Sequence, residues 1–152
     1  MSPVEDRPVR VVGVATSRVD AERVAGFHID APREGGTPVG HAIEASGWVV
    51  AGGEPIESVE FVQRGEAFAL APLELDRPDV GERFPEALGA ATGWKTQFST
   101  IGLPTEFEVF VRAVFADGSR ETLATIYGER RPLLPAEEAG TVPLIVYCPT
   151  SP

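Results

Sequence analysis

The chain has little cysteine and little positive charge. These two shortages limit the cellular compartments and the binding partners that can be expected for it. Cys148 is the only cysteine among 152 residues, so no disulfide can form within the chain. This favours a reducing compartment. Lysine and arginine number 13 against 23 aspartates and glutamates, which gives a formal net charge of −10. Because nucleic acids and anionic membrane surfaces bind clusters of basic residues, we expect neither as a partner.

Long hydrophobic runs are also missing. No apolar run approaches the roughly 20 residues that span a bilayer. The N-terminal residues 1–7 lack a basic start and are not followed by the apolar core of a secretory signal. We therefore expect a cytoplasmic protein with no membrane segment.

Motifs for metal binding, nucleophilic catalysis and phosphate binding are absent as well. His28 and His41 lie in separate predicted strands, with no cysteine or carboxylate at metal-ligand spacing. No Gly-x-Ser-x-Gly motif occurs, and the glycine pairs at 35–36 and 52–53 lack the helix and lysine of a phosphate-binding loop. Neighbouring carboxylates alternate with apolar residues, as on a hydrated sheet face. We expect no cofactor, no metal site and no catalysis in this chain.

Glycine (16 residues) and proline (14 residues) are abundant, and they separate short apolar runs. Apolar runs that recur roughly every 10 to 15 residues are typical of an all-β sandwich of two antiparallel sheets, similar to immunoglobulin or fibronectin-III domains. We predict one such domain over residues 24–130, with about seven strands and one short helical turn. The predicted strands are 24–30, 39–50, 56–63, 67–75, 94–103, 106–116 and 120–127.

Local signals mark two turns and one central strand. Asp117-Gly118, between the last two predicted strands, favours a hairpin turn. Asp79 and Glu82 have the spacing of a capping box with Asp79 at the N-cap, and Pro85 is expected to end the short helix. The strand 106–116 carries apolar residues on both faces, which indicates a central position in its sheet.

The two ends of the chain differ from its middle. Residues 1–23 are polar apart from 9–14, which predicts either an edge strand or a flexible arm. Residues 131–152 combine a proline-rich linker with a terminal apolar run that includes Leu144 to Cys148. That run either adds an edge strand to the sandwich or begins a second domain past Pro152.

Two tryptophans and one arginine are the candidate ligand-binding residues. Trp48 and Trp94 each follow a glycine. An exposed indole beside charged residues can stack on a sugar ring, whereas a buried indole fills a sandwich core. Packing is favoured for both rings, and more strongly for Trp48 in mid-strand. Arg77 can pair with a carboxylate across its loop, and this structural role is favoured over ligand binding.

Several short phrases occur together in an order that resembles a known module. They are Gly47-Trp48-Val49-Val50, Ile56-Glu57-Ser58-Val59-Glu60, Leu75-Asp76-Arg77-Pro78-Asp79-Val80, Phe84-Pro85, Gly93-Trp94 and Asp117-Gly118-Ser119-Arg120. Residues 24–130 thereby resemble the β-sandwich module found beside catalytic domains in many bacterial glycosyltransferases and sulfotransferase-like proteins. Trp94 stands where that module usually has phenylalanine. The resemblance implies an accessory domain, and it implies no particular ligand.

These observations leave three functions open. The first is a non-catalytic sandwich that binds a glycan or organises a partner catalytic domain. The second is the N-terminal part of a bacterial glycosyltransferase or sulfotransferase-like enzyme, in which the run from Leu144 to Cys148 opens a catalytic domain downstream of Pro152. The third is a structural sandwich that forms a homo-oligomer through an edge strand.

Overall fold

The computed structural model describes residues 8–38, 40–87 and 90–132. The predicted linker from residue 133 onward and the terminal run from Leu144 to Cys148 lie outside them. The described residues form nine strands, one short helix and one 3-10 turn. The strands are β1 (Val9–Thr16), β2 (Val24–Ala31), β3 (Ala42–Ala51), β4 (Ile56–Gln63), β5 (Glu66–Pro72), β6 (Leu75–Asp76), β7 (Ala91–Ser99), β8 (Glu106–Phe115) and β9 (Arg120–Arg130). The helix α1 spans Pro78–Arg83, and the 3-10 turn spans Pro85–Ala87.

The strands form two antiparallel sheets, so the predicted all-β sandwich is confirmed. One sheet has five strands in the order β1-β9-β8-β4-β5, and the other has four in the order β2-β3-β7-β6. β8 lies in the middle of the five-stranded sheet, as its two apolar faces predicted. Residues 9–16 form the edge strand β1, which pairs with β9 from Val9 opposite Arg130 to Thr16 opposite Ala124.

Alternating side chains build the core between the sheets. Along β8, buried residues alternate with exposed or half-buried ones, because successive side chains of a strand point to opposite faces. The buried set from both sheets forms one apolar cluster. Its larger members are Ile29, Ile43, Phe61, Trp94, Phe98, Leu103, Phe107, Phe115, Leu123 and Ile126.

A second, smaller apolar cluster covers the outer face of the four-stranded sheet. Trp48 and Val50 of β3 contact Val80 of α1 and Ala87 of the 3-10 turn. The rings of Trp48 and Phe84 have centroids 5.8 Å apart. A Cβ on Gly26 would lie 2.6 Å from Cζ of Phe84, so the glycine makes room for that ring. The segment from α1 to the 3-10 turn therefore acts as a partial third layer on this side.

The start of α1 differs from the prediction. Its N-cap is Arg77, and no side chain caps the helix. The capping box predicted for Asp79 and Glu82 is therefore wrong. Pro78 starts the helix earlier, since proline suits the first helical position, and the Asp79 carboxylate is bound to Arg77 instead. The helix ends before Pro85, as predicted.

Some observed strand boundaries differ from the predicted ones, most clearly where the chain crosses from one sheet to the other. The predicted strand 67–75 is two strands, because β5 ends at Pro72 in one sheet while Leu75–Asp76 pairs with β7 in the other. The predicted strand that starts at Trp94 begins earlier, at Ala91, and ends at Ser99. A run of alternating residues does not show that the chain changes sheets within it.

Among the described residues, no helix has the length and apolar character needed to cross a bilayer.

The turn between β8 and β9 is the one that Asp117-Gly118 predicted. Gly118 has φ of 89°, a left-handed conformation that glycine adopts without strain. The backbone N–H of Ser119 donates to Oδ1 of Asp117 at 2.9 Å, and its hydroxyl donates to the same oxygen at 2.6 Å. The hydrogen bonds from Ser119 lower the pKa of the Asp117 carboxyl.

A close approach between β2 and β3 requires a glycine at position 47. A Cβ there would collide with the carbonyl oxygen of His28 and lie 2.9 Å from Cζ2 of Trp94. Gly47→Ala is therefore expected to lower the free energy of unfolding by about 1–3 kcal/mol, as other overpacked sites do. Gly13→Ala in β1 is the matched control, because nothing lies within 4 Å of its Cβ. Urea unfolding compares the two, and equal stabilities would contradict the close approach.

Candidate functional site

Both tryptophans proposed from the sequence are buried. The Trp94 side chain is 0% exposed and lies between the sheets, with its ring centroid 5.8 Å from that of Phe61. Trp48 is 6% exposed and lies under Phe84 on the opposite face of the same sheet. An indole that stacks on a sugar must expose a ring face. In this conformation neither ring does so, and the two do not share a surface.

Arg77 forms ion pairs within the protein. Its Nη1 donates to Oδ2 of Asp30 in β2 at 2.9 Å, while its Nε and Nη2 donate to the two carboxylate oxygens of Asp79, each at 3.1 Å. The bond to Asp79 raises the pKa of Arg77 and lowers the pKa of Asp79. Arg77 thus joins the start of α1 to the far edge strand of the four-stranded sheet. This is the cross-loop pairing that the sequence favoured.

The histidines do not form a joint site in the structure. His28 is exposed, and its Nε2 lies 3.6 Å from Oδ1 of Asp30. Within residues 8–38, 40–87 and 90–132, no three His, Cys, Asp or Glu side chains are grouped as metal ligands.

The outer face of the five-stranded sheet is different, because no helix of the described chain packs on it. Phe110 of β8 is 36% exposed, Tyr127 of β9 is 39% exposed, and Val12 of β1 is 42% exposed. Tyr127 lies opposite Glu108, and Phe110 lies opposite Thr125. The two aromatic residues are therefore diagonal neighbours on adjacent strands, within about 7–8 Å of each other. They line a surface groove of about 620 Å³.

Polar side chains surround these aromatic residues. Glu106, Glu108 and Glu129 line the groove with Gln63 and Arg64. Arg10 Nη1 lies 2.9 Å from Oε2 of Glu129. For Glu106 and Glu108, the described part of the chain supplies neither a hydrogen bond nor an ion pair to the carboxylate. The groove therefore combines exposed ring surface with carboxylate oxygens that can accept hydrogen bonds from a ligand.

A buried ion cluster lies farther along the same face. The Glu60 side chain is 4% exposed, and its Oε2 contacts Nη2 of Arg112 at 2.5 Å and Nε of Arg120 at 2.7 Å. These three residues come from β4, β8 and β9, so the cluster ties together three adjacent strands. Nε of Arg112 is buried and has no hydrogen-bond partner.

Sequence reasoning did not identify Phe110 and Tyr127 as site residues. The sequence does carry a signal for Phe110. This residue lies between Glu108 and Arg112 on the same face of its strand, so an aromatic side chain interrupts a row of charged ones. An aromatic residue on an otherwise hydrated face is the pattern to seek. Tyr127 has no comparable signal, since Ile126 and Gly128 flank it near the end of the last predicted strand.

Comparison with known proteins does not extend these observations. The chain matches no family model, no curated protein and no solved structure. The resemblance to the accessory modules of glycosyltransferases and sulfotransferase-like proteins therefore stays a prediction.

Proposed function

We propose that this chain is a non-catalytic binding module that holds a glycan on the outer face of its five-stranded sheet. The observation that supports this most directly is the exposure of Phe110 and Tyr127 side by side in the groove. Exposed apolar patches rimmed by polar groups mark interaction sites on soluble proteins. On the outer face of the four-stranded sheet, by contrast, the segment from α1 to the 3-10 turn packs against Trp48 and covers its ring.

The chemistry of the groove suits a sugar. The faces of Phe110 and Tyr127 can cover the C–H-rich face of a pyranose ring. This contact removes apolar surface of both the protein and the sugar from water. The carboxylates of Glu106 and Glu108 can accept hydrogen bonds from the sugar hydroxyl groups, and Gln63 can both donate and accept. Ligand sites combine apolar walls with a few polar groups in this way, in volumes of about 300–1,000 Å³.

A binding role is also favoured over a catalytic one by the lining of the groove. No histidine, serine or cysteine is among the described lining residues, and the glutamates there, Glu106, Glu108 and Glu129, are exposed to water rather than held in the apolar pocket in which a carboxyl group acts as a general acid. Glu60, the buried carboxylate of the same face, is held by two arginines. Because both arginines contact its Oε2 and the side chain is only 4% exposed, a ligand has little access to this carboxylate.

A glycan array followed by calorimetry tests the proposal. The array carries neutral, acidic and amino-sugar oligosaccharides, and the strongest binder is then titrated. Phe110→Ala and Tyr127→Ala are each expected to weaken its binding about tenfold, which corresponds to ~1.4 kcal/mol. Leu75→Ala is the control, because Leu75 is 41% exposed but lies on β6 of the other sheet, outside the groove. Its affinity is expected to equal that of the unaltered protein.

Two results would overturn the glycan proposal. One is the absence of binding to every oligosaccharide at millimolar concentration. The other is equal binding by Phe110→Ala, Tyr127→Ala and Leu75→Ala. If a partner protein is captured instead, and Phe110→Ala alone releases it, the groove binds the partner domain that the sequence left as an alternative.

A further inference from the structure

Each sheet has two edge strands, and three of the four edges are blunted. Val11 of β1 donates its N–H to the Gly36 carbonyl and accepts from the Gly35 N–H, both at 2.7 Å, so a loop covers that edge. β6 contains two residues, and the pairing of β2 with β3 has two register shifts. Covering loops, short strands and bulges are the usual ways in which proteins prevent edge strands from pairing with other chains.

β5 forms the fourth edge, and it is the least protected of the four. Its one register shift lies before Ala69, and Pro72, which has no N–H to donate, ends the strand. The Leu73 N–H donates to the Glu57 carbonyl at 3.2 Å. Because hydrogen-bonded pairs alternate along an antiparallel ladder, Ala71 and Ala69 continue this pattern towards β4, and Leu70 directs its N–H and C=O to the free side. From Pro72 to Ala69 the pairing with β4 is unbroken, and the register shift comes only after that. Within the described chain, β4 is the only strand that pairs with β5.

The side chains of this edge are unusual for so acidic a protein. Residues 68–72 include no charged residue, although the chain carries a formal net charge of −10. Leu70 lies on the outer face opposite Glu60, and its side chain is 58% exposed. Natural edge strands commonly place a lysine or another charge at such a position. β5 thus combines free backbone groups with an exposed leucine.

We propose that β5 pairs antiparallel with β5 of a second copy of this chain, with Leu70 opposite Leu70 of the partner subunit. The two residues can exchange both backbone hydrogen bonds in this register, and Ala69 then faces Ala71 of the partner subunit. Small methyl groups on one face and two leucines on the other meet without a clash of size. Residues 68–72 carry no charge, so no like charges oppose each other within this segment.

This arrangement fixes the relative orientation of the grooves in the two subunits. Adjacent antiparallel strands of two copies are related by a two-fold axis perpendicular to the sheet, which keeps both outer faces on the same side. With strands spaced about 4.8 Å apart, two grooves centred between β8 and β9 lie roughly 30 Å from each other. A dimer would therefore present both grooves to one surface and bind a repetitive ligand with avidity. This consequence rests on the proposed function, whereas the pairing of β5 does not.

Sedimentation velocity over micromolar to near-millimolar concentrations tests the pairing in the absence of any glycan. The mass of the unaltered protein is expected to rise from 16.2 kDa towards twice that value, with weak affinity because one short strand buries a small interface. Leu70→Lys is expected to stay monomeric, because two ammonium groups would meet at the axis. Leu75→Lys is the matched control, since Leu75 is 41% exposed on β6 of the other sheet, and it is expected to dimerise normally.

The outcome that would overturn the pairing is a monomer at every concentration, or a Leu70→Lys variant that dimerises as the unaltered protein does. Leu70 and Leu75 are both exposed, so circular dichroism is expected to show that both variants keep the sandwich. Loss of dimerisation in both variants would also contradict the assignment to β5. Glycan binding does not enter the measurement, so failure of this inference leaves the proposed function unaffected.

Discussion

Trp94→Ala is expected to lower the free energy of unfolding by about 3–5 kcal/mol, the range for large aromatic residues removed from cores. The ring is 0% exposed and contacts Phe61 from the side. Neighbours held in two paired sheets cannot collapse into the space that an indole leaves. The loss therefore includes both the burial of the ring and the cavity that remains.

Trp94→Phe separates packing from hydrogen bonding at this position. The indole N–H has no hydrogen-bond partner, so replacing the ring by phenyl removes no hydrogen bond and leaves a smaller cavity. We expect Trp94→Phe to lose less than half as much stability as Trp94→Ala. Guanidinium unfolding followed by far-ultraviolet circular dichroism measures both variants. A Trp94→Ala variant as stable as the unaltered protein would show that the ring does not lie in the core.

Glu60→Ala is the second substitution with a large expected effect, a loss of about 3–5 kcal/mol. The Glu60 side chain is 4% exposed and neutralises Arg112, while also binding Arg120. Without the carboxylate, Arg112, whose Nε already lacks a partner, would be left as a partly buried cation. A charge removed from water without a partner is costly, so the folded state would lose more than the energy of the pair itself.

Glu108→Ala provides the matched control for Glu60→Ala. Glu108 lies on the same face in the adjacent strand β8, but it is exposed and has no partner in the described chain. Its removal is expected to change stability by no more than about 0.5 kcal/mol. Thermal unfolding of the two variants makes the comparison. Similar midpoints would mean that the ion cluster contributes nothing to the fold.

The fold was largely predictable because its signals are local. Recurring apolar runs located seven segments that hold eight of the nine strands, because one predicted segment is two strands, and Asp117-Gly118 located the last hairpin turn. The order of strands in each sheet was not predictable, because it depends on pairs far apart in sequence, such as Val9 with Arg130. The start of α1 was missed for a different and local reason. Asp79 can cap a helix, but Arg77 competes for the same carboxylate.

The candidate site was less predictable than the fold. Sequence alternation places Phe110 on the same face as Glu108, but it does not show whether another layer covers that face. The structure places α1 on the other sheet, where it covers Trp48, and leaves Phe110 exposed. Which aromatic residues are exposed therefore depends on where a single short helix packs, and periodicity holds no information on that choice.

The pairing of β1 with β9 determines when the five-stranded sheet can form during translation. β1 leaves the ribosome before the other described strands, yet the strand with which it pairs is the last of them. Until β9 has emerged, the five-stranded sheet lacks the strand that joins β1 to β8. Contacts over so long a stretch of chain form slowly, so the growing polypeptide carries β1 without its partner while the strands from β2 to β8 are synthesised.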